Sequence, residues 1–315
     1  MLEEALRIQQ QLAADLPDIH EPDLSLFLEE VSYRLSALGC QEEALVASQE
    51  AVELHQALAK PKEQCSDVNS NLTTSLSMLS SRFVKLSHHK EACEALEEAI
   101  VICQQLTVEL PEVHTPSLAD YLDNLSDHLS ELGHHKEALA TSQEAVKMRR
   151  ALSSEQPSIF NLAFSISLST ISNRFAELGH RKEALDALKE AIRIDRRLAA
   201  GALESWVAAS LDNLSDRLSD LGHREEALTA SQEAVELHCF FAIQQPSVSN
   251  PALAVLLSIL SNRLSDLGDL NGALQFIKEA VTLHRQLASE YLAVYNPSLT
   301  SCLVDLSGRL LDTEC

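Results

Sequence analysis

Residues 125–146 read LSDHLSELGHHKEALATSQEAV. Leu125, Leu129 and Leu132 recur at steps of four and three, the spacing of one helical face. Gly133 follows, fitting a left-handed helix C-cap where a side chain would be strained. Apolar residues then resume at helical spacing, with Ala138 and Ala145 seven apart. Two helices approach closely only where side chains are short, so these alanines mark a packing seam rather than chemistry. The stretch predicts a helix, a glycine turn and a second helix packed back on the first.

The same signature runs the length of the chain. Leu-Gly or its equivalent stands at Leu38-Gly39, Leu86-Ser87, Leu132-Gly133, Leu178-Gly179, Leu221-Gly222 and Leu267-Gly268, at steps of 48, 46, 46, 43 and 46. Five residues after each comes Ala44, Ala92, Ala138, Ala184, Ala227 or Ala273, and seven later Ala51, Ala99, Ala145, Ala191, Ala234 or Ala280. Before the turn, Leu28, Val31, Leu35 and Leu38, or Leu211, Leu214, Leu218 and Leu221, predict helix A of each hairpin. Odd units share Asp-Asn-Leu-Ser-Asp at 123–127 and 212–216, while even units share Ser172-Asn173-Arg174 and Ser261-Asn262-Arg263, as if pairs of units had been copied. Pro17, Pro22, Pro61, Pro111, Pro116, Pro157, Pro246, Pro251 and Pro297 are expected in loops that end each helix B. Ala200 to Trp206 lacks proline, so a stacking irregularity is expected there. The expected layout is one array over 1–315, with a half repeat at 1–17 and full repeats at about 24–60, 72–110, 118–155, 164–200, 207–242 and 253–290. A half repeat at 298–315 closes it, and the unfinished ends, with Leu2, Leu6 and Ile8, are candidates for self-association.

Leu28, Ser32, Leu35, Gly39, Ala44 and Ala51 resemble the tetratricopeptide repeat, over essentially the whole chain. The resemblance implies an all-α, right-handed superhelical solenoid of antiparallel hairpins that binds a protein or peptide along a concave groove. Departures are the period of about 46 in place of 34, the small Ser48, Ser142 and Ser231 where helix B carries a large residue, and the displaced proline. Lengthened units of this sort resemble those of kinesin light chains and of fungal arrays that accompany an NTPase or protease-like domain. A HEAT or armadillo array has a similar period, but the paired alanines argue against it.

Composition narrows the function. Asp plus Glu outnumber Lys plus Arg by 47 to 24, a formal charge of -23, which favours a basic partner and disfavours nucleic acid and anionic membrane. The seven cysteines are scattered, with no C-x-x-C pair, and no basic start with an apolar run opens the chain. These features predict reduced thiols in the cytoplasm. Phosphate-loop, dinucleotide, nucleophile-elbow and zinc-protease motifs are absent, so no enzyme activity, cofactor or metal is expected. His88, His89, His134, His135, His180 and His223 sit at turns expected about 10 Å apart, too far to share one ion.

In the resembled family helix A meets the partner. Carried over, its fifth positions are Glu29, Ser77, Asp123, Ser169, Asp212 and Ser258, and its ninth are Tyr33, Ser81, Asp127, Asn173, Asp216 and Asn262. The candidate partner-binding residues are therefore Glu29, Tyr33, Asp120, Asp123, Asp127, Asn173, Asp212, Asp216 and Asn262. The sequence leaves a second use open, an ion-pair ladder between units through Arg34, Arg82, Arg174, Arg217, Arg263 and Arg309. A regulatory or sensor array within a larger signalling protein is the alternative function.

Overall fold

The computed structural model describes residues 8, 11, 17–59, 66–198, 204–244, 246–290 and 292–314. Among them thirteen helices follow one another: α1 (Pro17–Ala37), α2 (Gln41–Leu58), α3 (Ser66–Lys85), α4 (His89–Glu109), α5 (Pro111–Glu131), α6 (His135–Glu155), α7 (Pro157–Glu177), α8 (Arg181–Leu198), α9 (Glu204–Asp220), α10 (Arg224–Gln244), α11 (Pro246–Asp266), α12 (Leu270–Glu290) and α13 (Leu292–Glu314). The all-α expectation holds. The chain forms two compact units, Met1–Phe160 and Asn161–Cys315. Within the first, each helix from α1 to α6 packs on its neighbour in the chain, and within the second the same holds from α8 to α13. Odd-numbered helices are the A helices and even-numbered ones the B helices. The half repeat expected at 1–17 and the irregularity expected at 200–206 fall mainly outside the described residues.

The turn residue does what its chemistry requires. Gly133 has φ of +79°, its N–H bonds to the Ser130 carbonyl at 2.8 Å, and the His134 N–H reaches the Leu129 carbonyl at 2.8 Å. This paired closure satisfies the last carbonyls of α5. Ser87 stands in the same place with φ of +62°, an uncommon conformation for a residue bearing a Cβ.

All twelve alanines of the repeat have no exposed surface. Against them lie Leu28, Leu76, Leu122, Leu168, Leu211 and Leu257 of the A helices, each at most 4% exposed, and burying a leucine contributes about 2 kcal/mol. The leucine before the turn does not belong to this core. Leu38 is 79% exposed and Leu132 and Leu267 are 39% exposed, because the chain there is already leaving the helix.

The two-unit period has a packing cause. In odd units a serine of helix A pairs with one of helix B: Ser32 with Ser48 at 2.8 Å, Ser126 with Ser142 at 2.6 Å and Ser215 with Ser231 at 2.6 Å. In the fourth and sixth units the helix-B partner is Leu188 or Ile277, and Ser172 and Ser261 instead donate to the Ala184 and Ala273 carbonyls at 2.8 Å. The small serines of helix B are thus polar contacts in a seam that elsewhere is apolar.

The expected proline loops are not formed where the chain is described. Pro17, Pro111, Pro157 and Pro246 are the first residues of A helices, while Pro22, Pro116, Pro251 and Pro297 lie one turn further inside them. Proline's fixed φ and missing N–H suit the first turn, so the first four start helix A rather than end helix B, while the inner four each forgo one helical hydrogen bond. One residue joins consecutive hairpins at the two joints that the described residues contain. The Leu110 N–H caps α4 on the Leu106 carbonyl at 3.0 Å while its own carbonyl accepts from His114 at 3.2 Å, and Gln156 serves α6 and α7 alike.

Candidate functional site

At Arg82, Arg217, Arg263 and Arg309 the tenth position of helix A reaches back toward the preceding hairpin, while Arg34 pairs with Glu30 and Arg174 with Glu177 on their own helices. Arg82 Nε donates to Ser32 at 2.9 Å, Arg217 to Asn173 Oδ1 at 3.1 Å and Arg309 to Asn262 Oδ1 at 2.7 Å. Arg263 donates to Ser215 and Ser219, both at 3.0 Å, and to the Asp216 carboxylate. Asn173, Asp216 and Asn262 therefore each accept from an arginine of the same compact unit. Asp120 is likewise paired, with Arg149 of α6, while its own side chain stays 63% exposed.

Glu29 is half-buried and accepts from Ser75 of α3. Burial raises its pKa against the opposing effect of that bond, and burial lowers the pKa of nearby His55. His55 Nδ1 lies 2.7 Å from Ser75 and its Nε2 lies 3.0 Å from Ser25, whose hydroxyl donates to the Pro22 carbonyl at 2.8 Å. Ser25 and Ser75 are at most 1% exposed, so this Ser-His-Glu grouping offers no nucleophile to a substrate. Tyr33 is 62% exposed and, with Leu26, Glu29, Glu30 and Met78, lines an open cleft of about 360 Å³ between α1 and α3.

Asp123 is half-buried and Asp127 exposed on α5. The Oδ1 of Asp212 on α9 is buried with no hydrogen-bond partner. Burial first, and the charge of Asp216 second, raise its pKa to about 6, although Arg263 acts to lower it.

A column that the sequence reading passed over lies deeper. His55, Cys103, Arg149, Asp195, His238 and His284 occupy one position of successive B helices, all at most 8% exposed. Several meet polar groups on A helices: His55 meets Ser75, Asp195 accepts from Ser210 at 2.7 Å, and Arg149 meets Asp120. Burial lowers the pKa of His55, His238 and His284 and pushes the Cys103 thiol up to about 11. The signal was available, since these residues fall sixteen after each turn residue and repeat its steps of 48, 46, 46, 43 and 46.

Of the turn histidines, His134 and His223 are surface groups that face Glu137 and Glu226 at 3.5 and 3.0 Å. Among the described residues no cluster of three metal-ligating side chains occurs, Cys40, Cys93, Cys103, Cys239 and Cys302 are free thiols, and no helix is long and apolar enough to cross a membrane. Phe240 is 54% exposed.

Comparison with known proteins agrees with the hairpin geometry. The tetratricopeptide repeat profile matches residues 207–239 and 253–290. A profile described as anaphase-promoting complex subunit 5 matches 25–62, 62–107, 121–159 and 149–200, about one hairpin at a time. No curated protein matches by sequence. Among solved structures, BtubC (BKLC) from P. vanneervenii superposes with a TM-score of 0.64 at 17% identity, covering 78% of this chain and 92% of its own. A putative kinesin light chain from Podosopora anserina with nearly identical TPR-like repeats gives 0.54 at 21% identity, covering 70% and 96%. The signal transduction ATPase with a tetratricopeptide repeat sensor from Pyrococcus horikoshii gives 0.62 at 14% identity, over 99% of this chain but 47% of that one. The repeat matches at 207–239 and 253–290, with sequential hairpins of the same fold as kinesin-light-chain arrays, make this a tetratricopeptide repeat protein.

Proposed function

We propose that the chain is a non-catalytic scaffold, in a reducing compartment, that holds a basic protein segment against its helix-A faces. Asp212 carries the reading: a carboxylate oxygen buried without a donor, beside the like charge of Asp216, is relieved when a lysine or arginine of a partner approaches. The cleft of Leu26, Glu29, Glu30, Tyr33 and Met78 supports it, combining acids with an exposed aromatic face suited to a cation. Asp120, Asp123 and Asp127 add negative charge on α5, whereas Asn173, Asp216 and Asn262 keep the spacing of neighbouring hairpins through their arginines. Repeat arrays of this family commonly bind proteins or peptides, which fits the absence of an accessible nucleophile at the His55 grouping. The likeness to the ATPase sensor supports a second reading, in which the array serves as the sensor of a larger signalling protein.

Titration with a lysine- and arginine-rich peptide at low and moderate salt tests the main reading. Saturable binding that weakens in Asp212→Asn and in Glu29→Gln/Glu30→Gln, with helical content unchanged, supports it. Binding equal in the parent and both variants refutes the helix-A assignment.

A further inference from the structure

Helix α8 holds six of the 24 lysines and arginines of this acidic chain within 18 residues. Four of them, Lys189, Arg193, Arg196 and Arg197, line a cleft of about 480 Å³ whose floor is Ile192 with Leu214 of α9. Arg196 is held by Glu233 of α10 at 2.7 Å. Lys189, Arg193 and Arg197 are exposed and have no ionic partner among the described residues. They stand at i, i+4 and i+8, one above the other on the helix at steps of about 6 Å, an arrangement of like charges that weakens a helix unless an anion offsets it.

We propose that this cleft binds a compact polyphosphate. The acidic site inferred above is not involved, and the two stand or fall separately. Three uncompensated cations and a fourth shared one need several negative charges within a small volume, which linked phosphates supply. The guanidinium forks of Arg193 and Arg197 match phosphate oxygens in pairs. The cleft's size is that of a small-molecule site, and its apolar floor limits the screening of the charges above it. An extended acidic peptide brings only one carboxylate per about 6.6 Å to one face, less charge within the cleft than linked phosphates carry, and is the competing ligand in the test.

Sodium tripolyphosphate titrated into the full chain by calorimetry at about 50 mM salt, where phosphate contacts are strong, is expected to show one saturable site. Arg193→Gln/Arg197→Gln should weaken it at least about tenfold. Arg193→Lys/Arg197→Lys, which keeps the charge but loses the forks, should fall between. Both variants alter exposed positions, and circular dichroism and melting temperature check their folding. ATP in a parallel arm separates the sources: tighter binding than tripolyphosphate indicates a nucleotide, equal or weaker binding a free polyphosphate. Absence of saturation, affinity unchanged in the glutamine variant, or a glutamate-rich peptide binding more tightly than tripolyphosphate would each overturn the proposal.

Discussion

Replacing Asp212 by Asn tests whether a scaffold of this kind sacrifices stability for a charged face. In the folded chain burial and the neighbouring Asp216 hold the Asp212 carboxyl at about 6 against an ordinary 3.8. The fold therefore retains a proton between those values that the unfolded chain has released, and stability falls as pH rises through this window. Two pKa units correspond to about 3 kcal/mol, and partial exposure with the nearby Arg263 reduces this to about 1–2 kcal/mol. Asparagine keeps the shape and removes the charge, so Asp212→Asn should be near neutral at pH 4 and stabilising by about 1–2 kcal/mol at pH 8. Urea unfolding of parent and variant at pH 4, 6 and 8 measures this, because the other titrating groups cancel in the difference. A difference independent of pH, or a variant less stable at pH 8 than at pH 4 relative to parent, would falsify the buried-carboxylate argument. The same variant should bind the basic peptide more weakly, so stability and binding are expected to move in opposite directions.

Other expectations concern the frame. Gly133→Ala should cost about 1 kcal/mol, and since a Cβ there meets nothing within 4 Å the loss is purely conformational; Ser87→Gly should show the opposite sign in thermal melts. Ser126→Ala or Ser142→Ala alone should cost about 1–3 kcal/mol by leaving a buried hydroxyl unpaired, and the double variant should recover much of it; additive losses in denaturant unfolding would argue against the pair. His55, His238 and His284 have pKa values lowered by burial, so the unfolded chain takes up protons first and stability should fall as pH drops below about 6.5. His284→Gln should flatten that acid limb, and an unchanged slope between pH 7 and 5 would count against the buried, neutral imidazole.

The hairpins were legible because their causes are local: a helical period, a glycine with positive φ, and alanines at fixed offsets. What the sequence hid was how polar residues divide between solvent and seam. The bond from Arg263 to Asp216 needs three-dimensional placement of the next hairpin. The prolines misled for a different reason, since proline marks a helix start as readily as a stop, and only the capping bonds of Leu110 and Gln156 tell which. The buried column of His55, Cys103, Arg149 and Asp195 escaped because its members share a depth but no chemical type.

The one-residue joints bear on how such a chain can lengthen over time. A residue that finishes one helix and begins the next leaves no slack, so gaining or losing an amino acid there would rotate everything downstream by about 100° about the helix axis. The spans crossing the joints at Leu110 and Gln156 both measure 46 residues. Growth by whole copied hairpins is the route that joints of this kind permit.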